Sequence, residues 1–250
     1  WEGAFVYDDI VYDHVRYRLR QDNDRYNGYL GGKRSMRFRF PRSHYLAARD
    51  DDGNLYPTRW RTLDTSEMCN NLTGGDYGLV ETINSRLWNL AGVPAPRVHT
   101  FHFRVVQDVE EVPAGPSGQY TGDFWGMALA MEDYDARFLD AHGLPDGNLY
   151  KLKYGVFNGQ EVKRNQGRDS VPDDSDFQNV RYNVNPSATP EWLRRHVHYE
   201  EWYLYHALCE AVRHYDFSSD DAMQKNRAWH LEPRADARYG RLWCLPWDFT

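Results

Sequence analysis

Apolar and basic residues alternate along "VRYRLR" (15–20) and "SMRFRF" (35–40), the period of two expected of strands with one buried face. The polar, glycine-bearing "QDNDRYNGYLGGK" between them predicts a hairpin loop, and "DDDGNLY" (50–56) predicts a turn. In "LVETINSRLWNLAGV" (79–93) the apolar positions 79, 80, 83, 87, 90 and 91 follow helical spacing, and Gly92 with Pro94 supplies a stop. "RVHTFHFRVV" (97–106) alternates again, and "VEEVPAGPSGQYTG" (109–122) reads as a surface loop. "DFWGMALAMED" (123–133) is an apolar run that ends abruptly in acids, the pattern of a buried strand leading to a site.

The texture then changes. "DYDARFLDAHG" predicts a short helix and "NLYKLKYG" a short strand. Residues 158–190 are rich in Asn, Asp, Gly and Pro and predict an insertion or ordered loop. From 189 to 216 the spacing is helical, with Thr189 as cap, Pro190 in the first turn, and Leu193, Val197, Trp202, Tyr205, Leu208, Cys209 and Val212 on or near one face. "RAWHLE" and "RLWCLPWDFT" read as a strand hairpin closed by "RADARYG". Strands first and helices later predict an α+β chain of two lobes, with a strand-rich part at 1–135 and a helical part at 136–250.

Mean hydropathy of −0.82 would suit disorder, but nine Trp and eighteen Tyr supply enough apolar surface for cores. The formal net charge of −7 disfavours a general nucleic-acid-binding role. No apolar window approaches the length of a membrane span. Cys69, Cys209 and Cys244 lack Cys-x-x-Cys spacing, which argues against a zinc knuckle and allows one disulfide or none. Asn71-Leu72-Thr73 fits a glycosylation sequon.

Three polar residues gather near the end of the chain. Asp216 follows the predicted long helix, Asn226 precedes one hairpin strand, and Asp248 ends the other. A hairpin can bring the last two together with Asp216 beside them. Two carboxylates and a carboxamide are hard oxygen ligands of the kind Mg²⁺ takes, and an acid off the metal can receive a proton from an attacking hydroxyl. The plainer alternative is turn chemistry, because Asp and Asn populate loops for local hydrogen-bonding reasons.

Longer stretches carry a resemblance. "GGKRSMRFRF", "INSRLWNLAGVPAPRVHTFHFRV", "GMALAMEDYDARFL", "GNLYK", "HYD…N" and "LPWDFT" occur in the order of the segments of the spore-coat CotH kinases, a family of atypical protein kinases that this chain resembles. The resemblance implies a single kinase-like domain over 1–250 that transfers the ATP γ-phosphate to Ser or Thr of a protein, with Mg²⁺, in a secreted or surface setting. Asp216 would orient the acceptor hydroxyl, and Asn226 and Asp248 would bind metal. Lys33 would contact nucleotide phosphate with Glu132 near it, and Lys151 is a further nucleotide contact. Arg34 is the alternative to Lys33, since adjacent strand residues point to opposite faces.

This chain departs from the family pattern in three places. "RQDNDRYNG" replaces an Arg-Gly-Asn/Ser-Ser-like loop. "SSDDA" lengthens the gap before Asn226 and offers Asp220 or Asp221 as substitutes. Thr250 stands where a second acid is usual. These departures keep two rivals open: a pseudokinase or structural surface protein, and a carbohydrate-binding surface module suggested by the tryptophans. The histidines at 196, 198, 206 and 214 lack His-Glu-x-x-His spacing and read as packed or exposed helix residues.

Overall fold

The computed structural model describes residues 1–20, 35–66, 78–113, 122–151, 162–214 and 226–247. The chain divides into two compact units, Trp1–Thr82 with Arg97–Asp133, and Ile83–Pro96 with Tyr134–Thr250.

The first unit is built on a six-stranded sheet. Its strands are β1 (Glu2–Tyr7), β2 (Ile10–Leu19), β3 (Met36–Arg39), β4 (Thr62–Ser66), β5 (Val98–Arg104) and β6 (Phe124–Glu132), in the order β1-β2-β3-β4-β6-β5 with every pair antiparallel. The alternation explains the two faces. Phe38, Leu63 and Ala130 bury into a core with Tyr12, Phe40 and Trp60. The opposite face carries Arg37, which lies across from Asp64 in register. Arg37 grips Asp64 through two bonds, Nε to Oδ1 at 2.6 Å and Nη2 to Oδ2 at 2.7 Å. Arg20 Nε lies 3.3 Å from Asp64, and Arg37 Nη2 lies 3.2 Å from Asp133. Both aspartate side chains are fully buried, so the sheet holds paired charge on this face.

Helix α1 (Leu79–Ala91) ends as its sequence predicts. Gly92 adopts φ +92°, a region glycine enters at no steric cost, and Val93 N–H then donates to Trp88 C=O at 3.0 Å.

The second unit contains a four-stranded antiparallel sheet of β7 (Asn148–Lys151), β8 (Val162–Asn165), β9 (Arg227–Arg234) and β10 (Ala237–Pro246), ordered β10-β9-β7-β8. It also holds α2 (Ala136–Ala141), α3 (Ser175–Asn183), α4 (Pro190–His196) and α5 (Tyr199–Ala211). Sheet and helices share a core of Trp88, Tyr150, Phe177, Tyr205, Trp229 and Leu242, among others.

Two expectations change here. The helical stretch 189–216 is two helices. Val197 leaves the helix to bridge Leu242, and His198 N–H donates to Leu242 C=O at 3.0 Å, so a strand contact outcompetes helical continuity. Thr189 still caps α4 by accepting from Trp192 N–H. The polar stretch 158–190 contains β8 and α3. Asp176 anchors α3 by accepting from Tyr150 Oη at 2.7 Å and Asn148 Nδ2 at 2.8 Å.

The chain is thus strand-rich and mixed α and β, compatible with the α+β class. Cys209 and Cys244 are both buried free thiols, and Cys69 lies outside the described residues. Among the described residues no helix is long and apolar enough to cross a membrane.

Candidate functional site

β9 and β10 form the antiparallel hairpin expected from the sequence. Pro246 pairs with Arg227 at its open end. One residue further, Trp247 N–H donates to Asn226 C=O at 2.9 Å. Asn226 stands just before β9 with φ +59°, a conformation that asparagine tolerates better than most residues.

Trp247 is also gripped elsewhere. Its carbonyl accepts from His214 Nε2 at 3.3 Å. Tyr134 lies with its ring centroid 5.5 Å from the indole, and its hydroxyl donates to Pro246 C=O. The Lys151 ammonium, at the end of β7, sits 3.1 Å from the indole centroid on the electron-rich face. Trp247 is 5% exposed. Trp247 therefore serves as a hub: His214 after α5 and Asn226 before β9 hold its backbone, and Lys151 and Tyr134 meet its indole.

Of the residues nominated from sequence, Lys151 and Asn226 are brought together at this hub. Glu132 belongs to the first unit. It closes β6 opposite Leu63, is 2% exposed, and accepts from Arg97 N–H through Oε2 at 3.2 Å. It does not reach out to solvent, as a glutamate at a strand end ordinarily would. Lys33, Arg34, Asp216 and Asp248 lie outside the described residues, as do Asp220, Asp221 and Thr250. Along the chain, Asp216 follows His214 by two positions and Asp248 follows Trp247 by one.

Sequence reasoning missed two contributors. Tyr134 was hidden inside "MEDYD", where the flanking acids drew attention, yet it is fully buried. His214 reads as one more helix histidine, but α5 ends before it and Arg213 adopts φ +50°, which turns His214 toward Trp247. The other histidines pack on aromatics, His196 on Trp192, His198 on Trp243 and His206 on Trp202. Among the described residues no group of three or more His, Cys, Asp or Glu is placed to hold a metal.

The first unit has an open cavity of about 460 Å³ lined by residues that include Tyr7, Arg49, Asp51, Thr82 and His99. None of the residues nominated from sequence lines it. His99 at its wall is held neutral, because burial pulls its pKa down to about 4.

No curated protein matched the chain. A family model did match, that of the CotH kinase protein, over residues 64–250. The match begins at Asp64, so β1 to β3 and the stretch with Lys33 and Arg34 precede it. It takes in α1, Glu132, Tyr134, Lys151 and the whole β9–β10 hairpin, and on this match the chain belongs to the CotH kinase family.

Proposed function

We propose that the chain is an ATP- and Mg²⁺-dependent protein kinase with a two-lobed, kinase-like arrangement, acting on Ser or Thr of secreted or surface proteins. The observation that carries this reading is the Trp247 peptide group, hydrogen-bonded to Asn226 on one side and to His214 on the other. These are the described neighbours of Asp248 and Asp216 in sequence. Asp216 and Asp248 are taken to converge with Asn226, as kinase chemistry requires: one acid for the acceptor hydroxyl, and a carboxamide with a second acid for metal.

In this reading Asp216 receives the acceptor's proton as its oxygen bonds to the γ-phosphorus and the bond to the β,γ-bridging oxygen breaks, releasing ADP. Asn226 and Asp248 offer hard oxygen donors, the ligand chemistry that Mg²⁺ prefers. When bound, Mg²⁺ would neutralise charge on the phosphates. Lys33 or Arg34, and Lys151, would add positive charge toward the nucleotide, with Glu132 as an acidic partner in the first unit. Positioning and charge neutralisation supply most of the rate in such chemistry.

Thr250 favours a second reading, a pseudokinase or structural surface protein, since a family acid is replaced there. The test is phosphate transfer from radiolabelled ATP with Mg²⁺, comparing the chain with Asp216→Ala and Asp248→Ala. Transfer abolished by both substitutions, in variants with unchanged circular dichroism, supports the kinase. Nucleotide-dependent thermal stabilisation without transfer supports the pseudokinase. Neither response, across divalent metals and varied protein acceptors, removes the kinase reading and favours a structural or sugar-binding role.

A further inference from the structure

We propose that His214 and Tyr134 are positioning residues that set metal–nucleotide affinity by clamping Trp247, an inference that rests on the reading above. β10 ends at Pro246, so Trp247 lies past the sheet ladder. A strand end released from its ladder frays unless other groups hold it. Here each side of the Trp247 peptide is held: its N–H by Asn226 C=O at 2.9 Å, and its carbonyl by His214 Nε2 at 3.3 Å. A carbonyl only accepts, so His214 must carry its proton on Nε2.

The holding groups are themselves fixed. His214 N–H donates to Cys209 C=O at 3.0 Å, which closes the end of α5, and the side chain is buried. Tyr134 is 0% exposed, its ring lies 4.6 Å from that of Phe138, and its carbonyl accepts from Arg164 Nε at 3.0 Å. From that anchored position its hydroxyl holds Pro246 C=O. The clamp therefore joins the end of α5, the start of β9 and the end of β10 into one rigid point beside Asn226. Groups that orient metal ligands in this way typically change affinity by 10–100-fold when removed.

The test is a proton-relaxation-enhancement titration of the full chain with Mn²⁺ and a non-hydrolysable ATP analogue. His214→Phe keeps a ring and loses the donor, and is expected to weaken binding about tenfold. His214→Gln restores an N–H near the same place and is expected to bind within about threefold of the parent chain. Tyr134→Phe removes one hydroxyl and is expected to weaken binding by about five- to tenfold. A merely structural role would lower the thermal midpoint of all three without separating His214→Phe from His214→Gln. If His214→Phe does not fold, Tyr134→Phe decides alone, because it changes no volume in the core.

Parent-like affinity in both phenylalanine variants overturns the clamp and leaves the kinase reading standing. No enhancement with the parent chain overturns that reading, and the clamp falls with it.

Discussion

Asp64 in the first unit and Glu201 in the second are both buried acids, and they are kept by opposite means. Asp64 has two guanidinium groups within 3.3 Å, one of them bidentate. Glu201, in the first turn of α5, receives a single backbone N–H, from Cys244 to Oε2 at 3.0 Å. Burial without a cation pushes its pKa up to about 8. The first sheet thus holds its buried acid in a paired charge network, whereas Glu201 in the second unit is held in its neutral form at ordinary pH.

The comparison breaks most visibly at Asp64. Asp64→Asn removes the charge that Arg37 grips through two bonds and that Arg20 Nε approaches to 3.3 Å. Removing one partner of a buried ion pair costs about 3–5 kcal/mol, because the stranded charge has no water to replace it. Urea denaturation of the variant should show that loss in its midpoint with an unchanged slope. A loss below about 1 kcal/mol would mean that the network contributes little and that the contrast with Glu201 is only geometric.

Glu201 gives the next effect, and it depends on pH. The folded-state pKa is raised from 4.5 to about 8. Between those values the unfolded chain has released the proton and the folded chain still holds it. Stability therefore falls as pH rises from about 4.5 to about 8, by up to ~1.4 kcal/mol per unit from this group, and is level outside the window. Glu201→Gln keeps an acceptor for Cys244 N–H and has no proton to lose. The variant should match the parent near pH 5 and exceed it by about 2–3 kcal/mol at pH 8 in denaturant titrations. Parallel pH profiles would show that Glu201 titrates as an ordinary carboxyl and that the contrast with Asp64 is not electrostatic.

A smaller loss is expected at Tyr150. Its hydroxyl donates to Asp176, whose own pKa is raised chiefly by burial. Tyr150→Phe should cost about 1–2 kcal/mol and loosen α3 first, visible as faster amide exchange across Ser175–Asn183 than across β9.

Much of the fold was legible in the sequence where one physical rule decided locally. Alternation marked the end of β2, β3 and β5, an unbroken apolar run marked β6, and Gly92 with Pro94 marked the end of α1. What stayed hidden needed a partner distant in sequence. The break at Val197 follows from Leu242, some forty-five residues away, and nothing in the helical spacing signals it. α3 was masked by Asn and Asp, residues that favour turns unless a buried anchor such as Tyr150 holds them. The site divided the same way. Asn226 and Lys151 could be named from motif and spacing. The role of Trp247 could not, because a tryptophan near a strand end reads as core, and its peptide bonds depend on where α5 stops.

Lys151 sharpens the comparison at its smallest scale. The family resemblance implies a nucleotide contact for it, and the structure sets its ammonium 3.1 Å from the Trp247 centroid. A cation on an indole face is worth about 0.5–2 kcal/mol. If the indole is its main partner, Lys151→Met and Trp247→Leu should be coupled by about 1 kcal/mol in a double-mutant cycle of unfolding free energies, and Lys151→Met alone should leave ATP affinity within about twofold. If the nucleotide is its partner, the cycle should close near zero while the KM for ATP rises about tenfold with kcat little changed, the signature of lost ground-state binding. Coupling together with a raised KM would mean that the same ammonium serves both, so that the Trp247 hub would extend from metal ligation to the nucleotide itself.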